Sequence, residues 1–159
     1  VVDAVNIPVI AAGGIADGRQ IADAFMLGAK GVQVGTRFLV CDECTIAHEY
    51  KEKVLKAKDI DTVVTGKRLG HPVRSIRNSF TKEYQACEYD RTNCDDEKLE
   101  NMGTGKLRLA AREGDVKNGT VLAGQVAAMV KKEQPAKEII EEMFTQAEET
   151  LKGATQWVK

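Results

Sequence analysis

IPVIAAGGIADGRQIADAFMLGAKGVQVGTRF, residues 7–38, decides the fold. The stretch reads as strand, glycine turn, amphipathic helix, strand and second glycine turn, which is one βαβ unit. Val9, Ile10, Ala11 and Ala12 form a short apolar run entered through Pro8. A run without polar alternation fits a strand buried on both faces of a parallel sheet, and proline is tolerated at a strand's first position. Asp17 is placed to cap a helix that Gly18 opens. Ile21, Ala24, Phe25 and Gly28 then recur at three- and four-residue steps, giving one apolar face that ends in a glycine. The second strand spans 31–34 and runs into Gly35, Thr36, Arg37 and Phe38.

Parallel neighbours put their following loops at one edge of a sheet. Gly13-Gly14 and Gly35-Thr36 are therefore expected side by side, about one strand spacing (roughly 5 Å) apart. Both turns offer backbone N–H groups and precede helices or helical turns, an arrangement that favours a dianion. In (β/α)₈ barrels a phosphate site is commonly shared by the loops after the last two strands.

Outward from this unit, 45–57 reads as a helix with Ile46, Tyr50, Val54 and Ala57 on one face. Residues 59–64 turn β-like, and 73–77 alternate apolar and polar as a second extended segment. The polar run 81–100, with Asp90, Asp95, Asp96, Glu97 and Glu100, lacks calcium-loop spacing and reads as a solvated loop or helix face. Residues 102–106, MGTGK, fall short of a P-loop and read as a glycine-rich connection. Residues 115–119 carry turn chemistry. Two helices are predicted to finish the chain. One covers 121–131, and the other starts near Pro135 with Ile139, Ile140, Met143, Phe144, Ala147 and Leu151 on its apolar face. Trp157 is read as an anchor for the tail.

The run of motifs is specific. Residues 8–15 (PVIAAGGI), 31–38 (GVQVGTRF), 50–53 (YKEK), 70–74 (GHPVR) and 123–127 (AGQVA) together resemble the FMN-dependent enoyl-acyl-carrier-protein reductases. These form a branch of the nitronate monooxygenase (2-nitropropane dioxygenase-like) family. The resemblance covers nearly the whole chain. It implies an α/β fold: the C-terminal part of a TIM (β/α)₈ barrel holding its last two strands, with an inserted small α+β subdomain and C-terminal helices packing back on the barrel. The implied divisions are 1–42 for the last βαβ unit, 43–117 for a cap or substrate subdomain and 118–159 for the returning helices.

By the same resemblance, FMN is the ligand of the double loop, through Gly13, Gly14, Gln33, Val34, Gly35 and Thr36. Backbone amides and the Thr36 hydroxyl would take the phosphate, and Gln33 would help position the cofactor or its loop. NADH or NADPH would reduce the flavin, which then reduces an enoyl thioester on acyl-carrier protein. His71, Gly124 and Gln125 are candidates for proximity to substrate or flavin, with a purely structural role for His71 as the alternative. The family's catalytic histidine belongs to an earlier barrel strand, and neither His48 nor His71 matches it, so no catalytic residue is assigned. The N-terminal part of the barrel and a second copy of the protein are the expected partners.

The chain has 159 residues, 43% of them hydrophobic and 30% charged, with a net charge of −1. A complete eight-stranded barrel needs roughly 200 residues or more, so the chain reads as the C-terminal part of a longer protein, beginning just before the seventh strand. No basic face offers nucleic-acid affinity, and no apolar run approaches a membrane span. Cys41 and Cys44 form a lone CxxC, and the Cys87–Cys94 spacing is too wide for a matching zinc pair. No metal is expected, and the four cysteines read as reduced thiols of a cytoplasmic protein. Three alternatives stay open. One is a nitronate monooxygenase with the same glycine turns. Another is an inosine-monophosphate-dehydrogenase-type barrel, disfavoured by the sequence after Phe38. The third is a noncatalytic phosphate-binding fragment of a larger barrel.

Overall fold

The computed structural model describes residues 1–157, without the side chain of Trp157, so the anchoring expected of that side chain lies outside the described residues. The elements in chain order are β1 (Ile10–Ala12), α1 (Gly18–Met26), β2 (Gly31–Gln33), α2 (His48–Leu55), β3 (Thr62–Thr65), β4 (Val73–Ile76), α3 (Ser79–Tyr89), α4 (Asp96–Gly103), α5 (Lys106–Glu113) and α6 (Ala136–Gly153). Short 3₁₀ turns cover Val2–Ala4, Thr36–Val40, Gln125–Met129 and Ala154–Trp157. No helix among the described residues is long and apolar enough to cross a membrane.

The chain divides into two compact units. One is Val1–Cys44 together with the chain from Lys132 onward, and the other is Thr45–Lys131. In the first, β1 and β2 pair in parallel with Ile10 opposite Gly31, Ala11 opposite Val32 and Ala12 opposite Gln33. Asp17 caps α1 as the sequence implies: its carboxylate accepts from the Arg19 and Gln20 amides, and the Gln20 side chain accepts in return from the Ala16 and Asp17 amides. Gly28 closes the helix with φ +93°, a conformation glycine adopts without penalty.

α1 packs against α6. The approach is so close that a Cβ on Gly18 would lie 2.1 Å from the Met143 carbonyl oxygen and 2.6 Å from the Ala147 nitrogen. Ile15, Ile21, Ala22, Cys41, Ile139, Met143 and Ala147 form the core between them. α6 starts after Pro135 as predicted, but its apolar face is wider than α1 covers. Ile140 and Phe144 remain about half exposed and border an apolar cleft of about 460 Å³ with Phe25, Val34 and Phe38. The strands also differ from expectation. β1 is not buried on both faces: Ala11 turns inward, whereas Ile10 and Ala12 are exposed. Among the described residues, Ala11 and Val32 face the core, and Ile10, Ala12 and Gln33 lie on the exposed side.

In the second unit, β3 and β4 pair antiparallel, Thr62 opposite Ile76 through Thr65 opposite Val73. The helix predicted over 121–131 is not formed. Residues 121–123 are extended along the free edge of β4: the Ile76 amide donates to the Val121 carbonyl, the Ala123 amide donates to the Arg74 carbonyl, and Ser75 bridges Leu122. The ladder supplies those backbone groups with partners that override a helical spacing of side chains, and only the 3₁₀ turn Gln125–Met129 follows. This segment belongs to the second unit, with the Tyr50 hydroxyl donating to the Leu122 carbonyl. The second compact unit ends at Lys131.

The acidic run serves a turn and a helix start. Asp90 accepts from the Thr92 and Asn93 amides, and Asp95 caps α4 through the Lys98 amide. The glycine-rich connection continues into α5, which the sequence reading did not anticipate, bounded by Gly105 and Gly114, both with positive φ. Cys87 and Cys94, read as reduced thiols, are joined as a disulfide with Cα atoms 5.3 Å apart. The turn built on Asp90 brings the end of α3 back to the start of α4 and so sets the two cysteines together.

Candidate phosphate-binding loops

The parallel register of β1 and β2 settles where the two glycine turns lie. Gly13 follows Ala12, Val34 and Gly35 follow Gln33, and Ala12 and Gln33 are opposite one another. Both turns therefore leave the sheet at its carboxyl edge. Gly13 and Gly14 adopt φ +91° and +73°, the left-handed region that favours glycine. Gly35 has φ −105° and starts the 3₁₀ turn Thr36–Val40. A Cβ built on Gly13, Gly14 or Gly35 would meet no atom within 4 Å. The absence of side chains thus leaves both turns open to a ligand rather than to a neighbouring element.

Amide accounting narrows the receptor. The α1 N-terminus, read from sequence as part of the anion site, is already satisfied by protein. The Gly18 amide donates to Gln146 Oε1 at 2.7 Å, and those of Arg19 and Gln20 donate to Asp17 Oδ1. Among the described residues, no turn or loop backbone hydrogen bond uses the amides of Gly13, Gly14 or Gly35. These are donors at the sheet edge that backbone pairing leaves open. Successive N–H groups at a sheet edge form an anion-binding concavity without needing a long helix behind them.

The remaining sequence-derived residues separate by face. Gln33 is exposed and shares the open face with Ala12, directly before the second turn. Val34 does not reach the ligand side with its side chain, which packs on the core beside Phe38; its contribution is confined to the backbone. Thr36 is half-buried at the start of the 3₁₀ turn. His71, Gly124 and Gln125 lie in the second unit. His71 is exposed in the β3–β4 connection, its amide donating to the Gly66 carbonyl. Gly124 precedes the 3₁₀ turn that Gln125 opens, in place of the predicted helix start.

One residue the motif reading quoted without a role is Arg37. It is buried, at 7% exposure. Its guanidinium donates to the Lys132 carbonyl at 3.2 Å and to Gln134 Oε1. Burial pushes its pKa below the usual arginine range, opposed chiefly by the Glu142 carboxylate. An arginine inside a GTRF run, directly after a glycine turn, is the signal that could have drawn attention to it.

Comparison with known proteins adds a family. The family model for nitronate monooxygenase matches residues 1–146. A probable nitronate monooxygenase of Staphylococcus saprophyticus is 40% identical over 151 residues, 94% of this chain and 41% of that protein. Among solved structures, FabK from Thermotoga maritima superposes with a TM-score of 0.94 at 44% identity, over 99% of this chain and 50% of that one. A nitroalkane oxidase from Streptomyces ansochromogenes superposes with a TM-score of 0.77 at 30% identity, over 95% and 42% respectively. The chain thus spans between two fifths and one half of the length of these proteins.

Proposed function

The chain belongs to the nitronate monooxygenase family, and from that premise we propose that Gly13-Gly14 and Gly35-Thr36 hold the phosphate of FMN. In this reading β1 and β2 are the last two strands of a (β/α)₈ barrel, and the whole protein is a flavin-dependent oxidoreductase. The observation that carries it is the parallel register, which sets two open glycine turns at one sheet edge with Gln33 on the open face before the second. The residues present fit the group. A phosphate needs several convergent donors and room at close range, and the turns offer the Gly13, Gly14 and Gly35 amides with nothing within 4 Å of where their Cβ atoms would sit.

Bound FMN supplies hydride transfer. What this chain's residues do is bind and orient. The turn amides of Gly13, Gly14 and Gly35 would fix the phosphate end. Gln33, with both an acceptor oxygen and donor nitrogen in its amide, would help position the cofactor or its loop through hydrogen bonds.

The substrate we propose is a trans-2-enoyl thioester on acyl-carrier protein, reduced at the expense of NADH or NADPH in a cytoplasmic homodimer. The motifs at 50–53, 70–74 and 123–127 support this reading, because their resemblance to the enoyl reductases extends beyond the barrel unit. The second reading, oxidation of a nitronate with oxygen, is supported by the name of the staphylococcal relative. The full-length gene product that carries this chain tests both. A flavin absorbance spectrum with FMN released on denaturation is expected. NAD(P)H-dependent reduction of a crotonyl thioester favours the first reading, and oxygen consumption with a nitronate favours the second. A preparation that neither contains nor takes up flavin refutes the proposal.

A further inference from the structure

The 3₁₀ turn that follows Gly35 is anchored by a buried arginine. Arg37 is one residue beyond Thr36, within the 3₁₀ turn that Gly35 opens. Its guanidinium reaches across to the segment that enters α6, donating to the Lys132 carbonyl and the Gln134 side-chain oxygen. Gln134 is itself fixed on two sides: its Nε2 donates to Glu142 at 3.0 Å, and its carbonyl accepts the Asp42 amide at 3.0 Å. Lys132 Nζ pairs with the same Glu142 carboxylate at 2.9 Å. A chain of contacts therefore runs from the 3₁₀ turn through Arg37 and Gln134 to α6.

Both direct acceptors of Arg37 are neutral. The Glu142 carboxylate, held by Gln134 and Lys132, acts on the guanidinium through space and offsets part of its charge. A fork of rigid donors suits such a clamp, because two acceptors from one segment fix its plane, whereas a lysine ammonium fixes only a point.

Resting on the FMN reading above, we propose that Arg37 is the positioning residue of the second phosphate turn. Clamped to Lys132 and Gln134, it holds the Gly35 donor in the pose that accepts the phosphate, and it contributes positive charge that Glu142 offsets only in part. The clamp acts on the phosphate end of the ligand alone, so its removal separates FMN from riboflavin, which has the same ring system without the phosphate.

The test uses the full-length gene product, stripped of flavin, with dissociation constants for FMN and riboflavin measured by fluorescence. Arg37→Met is expected to weaken FMN at least tenfold while riboflavin changes less than twofold. Arg37→Lys keeps the charge and falls between Met and the parent. Gln134→Met removes one of the two acceptors, leaves the Lys132 carbonyl, and shifts the FMN-to-riboflavin ratio in the same direction by a smaller factor. If Arg37→Met does not fold, the lysine and Gln134 variants carry the test. A parent that binds FMN, with variants whose FMN-to-riboflavin ratio is unchanged, overturns the clamp and leaves the FMN reading standing. A parent that binds no FMN overturns both.

Discussion

Gly35→Ala separates ligand space from protein space better than any other substitution in the two turns. At Gly13 and Gly14 a side chain must adopt positive φ, which costs roughly 1–2 kcal/mol whatever the ligand does. Gly35 has φ −105° and ψ −66°, a backbone any residue adopts, and its Cβ would meet nothing within 4 Å. The alanine protein without ligand is therefore expected to lie within about 0.5–1 kcal/mol of the parent, on the stabilising side through the reduced freedom of the unfolded chain. With ligand the outcome reverses. The methyl occupies the space in which the phosphate approaches the turn, so at least one donor contact to a charged oxygen is lost. Such a bond contributes about 1.5–3 kcal/mol, and at 1.4 kcal/mol per tenfold FMN affinity falls roughly 10- to 150-fold. Urea unfolding of the flavin-free protein and fluorescence titration with FMN read the two quantities separately. FMN affinity within twofold of the parent, in a variant of unchanged stability, would refute the placement of the phosphate over this turn.

Three further outcomes follow from the packing and the charges. Gly18→Ala drives a methyl into the α6 backbone, 2.1 Å from the Met143 carbonyl oxygen. Overpacking of about 1–3 kcal/mol outweighs a helix-propensity gain of at most about 1 kcal/mol, so urea midpoints drop, and a midpoint at or above the parent's contradicts the close α1–α6 contact. Cys87→Ser opens a loop closed across a separation of 7 residues; stability falls by about 2–2.5 kcal/mol without reductant, and reductant brings the parent down to the variant. The Glu142 carboxylate is held below its usual 4.5 first by its hydrogen bond from Lys132 and then by that from Gln134. A lowered carboxylate pKa stabilises the fold above the unfolded value, and the contribution is lost as pH falls through the lower folded value. The parent should therefore lose more stability below pH 4.5 than Glu142→Gln does, as read by unfolding midpoints across an acid series.

What was legible in the sequence was whatever local chemistry alone dictates. The α1 start needed only Asp17 and Gln20, three residues apart, and the structure has both halves of that capping box. The two turns needed only glycines after apolar runs. What was not legible depended on distant partners. Residues 121–123 carry a helical spacing, yet the free edge of β4 takes their backbone into a ladder. α5 was hidden because its glycine borders read as a loop, although Gly105 and Gly114 cap its two ends. Ile140 and Phe144 satisfy the period of α6 but exceed the width that α1 covers. Arg37 was invisible as a clamp because its acceptors, Lys132 and Gln134, lie about a hundred positions along the chain.

The same dependence on distant partners changes the physical account of the anion site. From sequence, the natural donor for a dianion is the α1 N-terminus, where peptide dipoles align. In the structure that end is closed by Asp17 and by Gln146, a residue of α6. A carboxylate seated on the helix end cancels much of the dipole's attraction for a second anion. The site's positive character must then come from elsewhere at the sheet edge. On the proposed assignment the turn amides of Gly13, Gly14 and Gly35 supply direction, and the buried guanidinium of Arg37, offset in part by Glu142, supplies charge. On this account Asp17→Asn, which keeps the cap's acceptor and removes its charge, should strengthen FMN binding modestly or leave it unchanged. Were the α1 dipole instead the receptor, with Asp17 shielded from the ligand, Arg37→Met would be the silent substitution, and comparing the two variants in one titration series decides between the accounts.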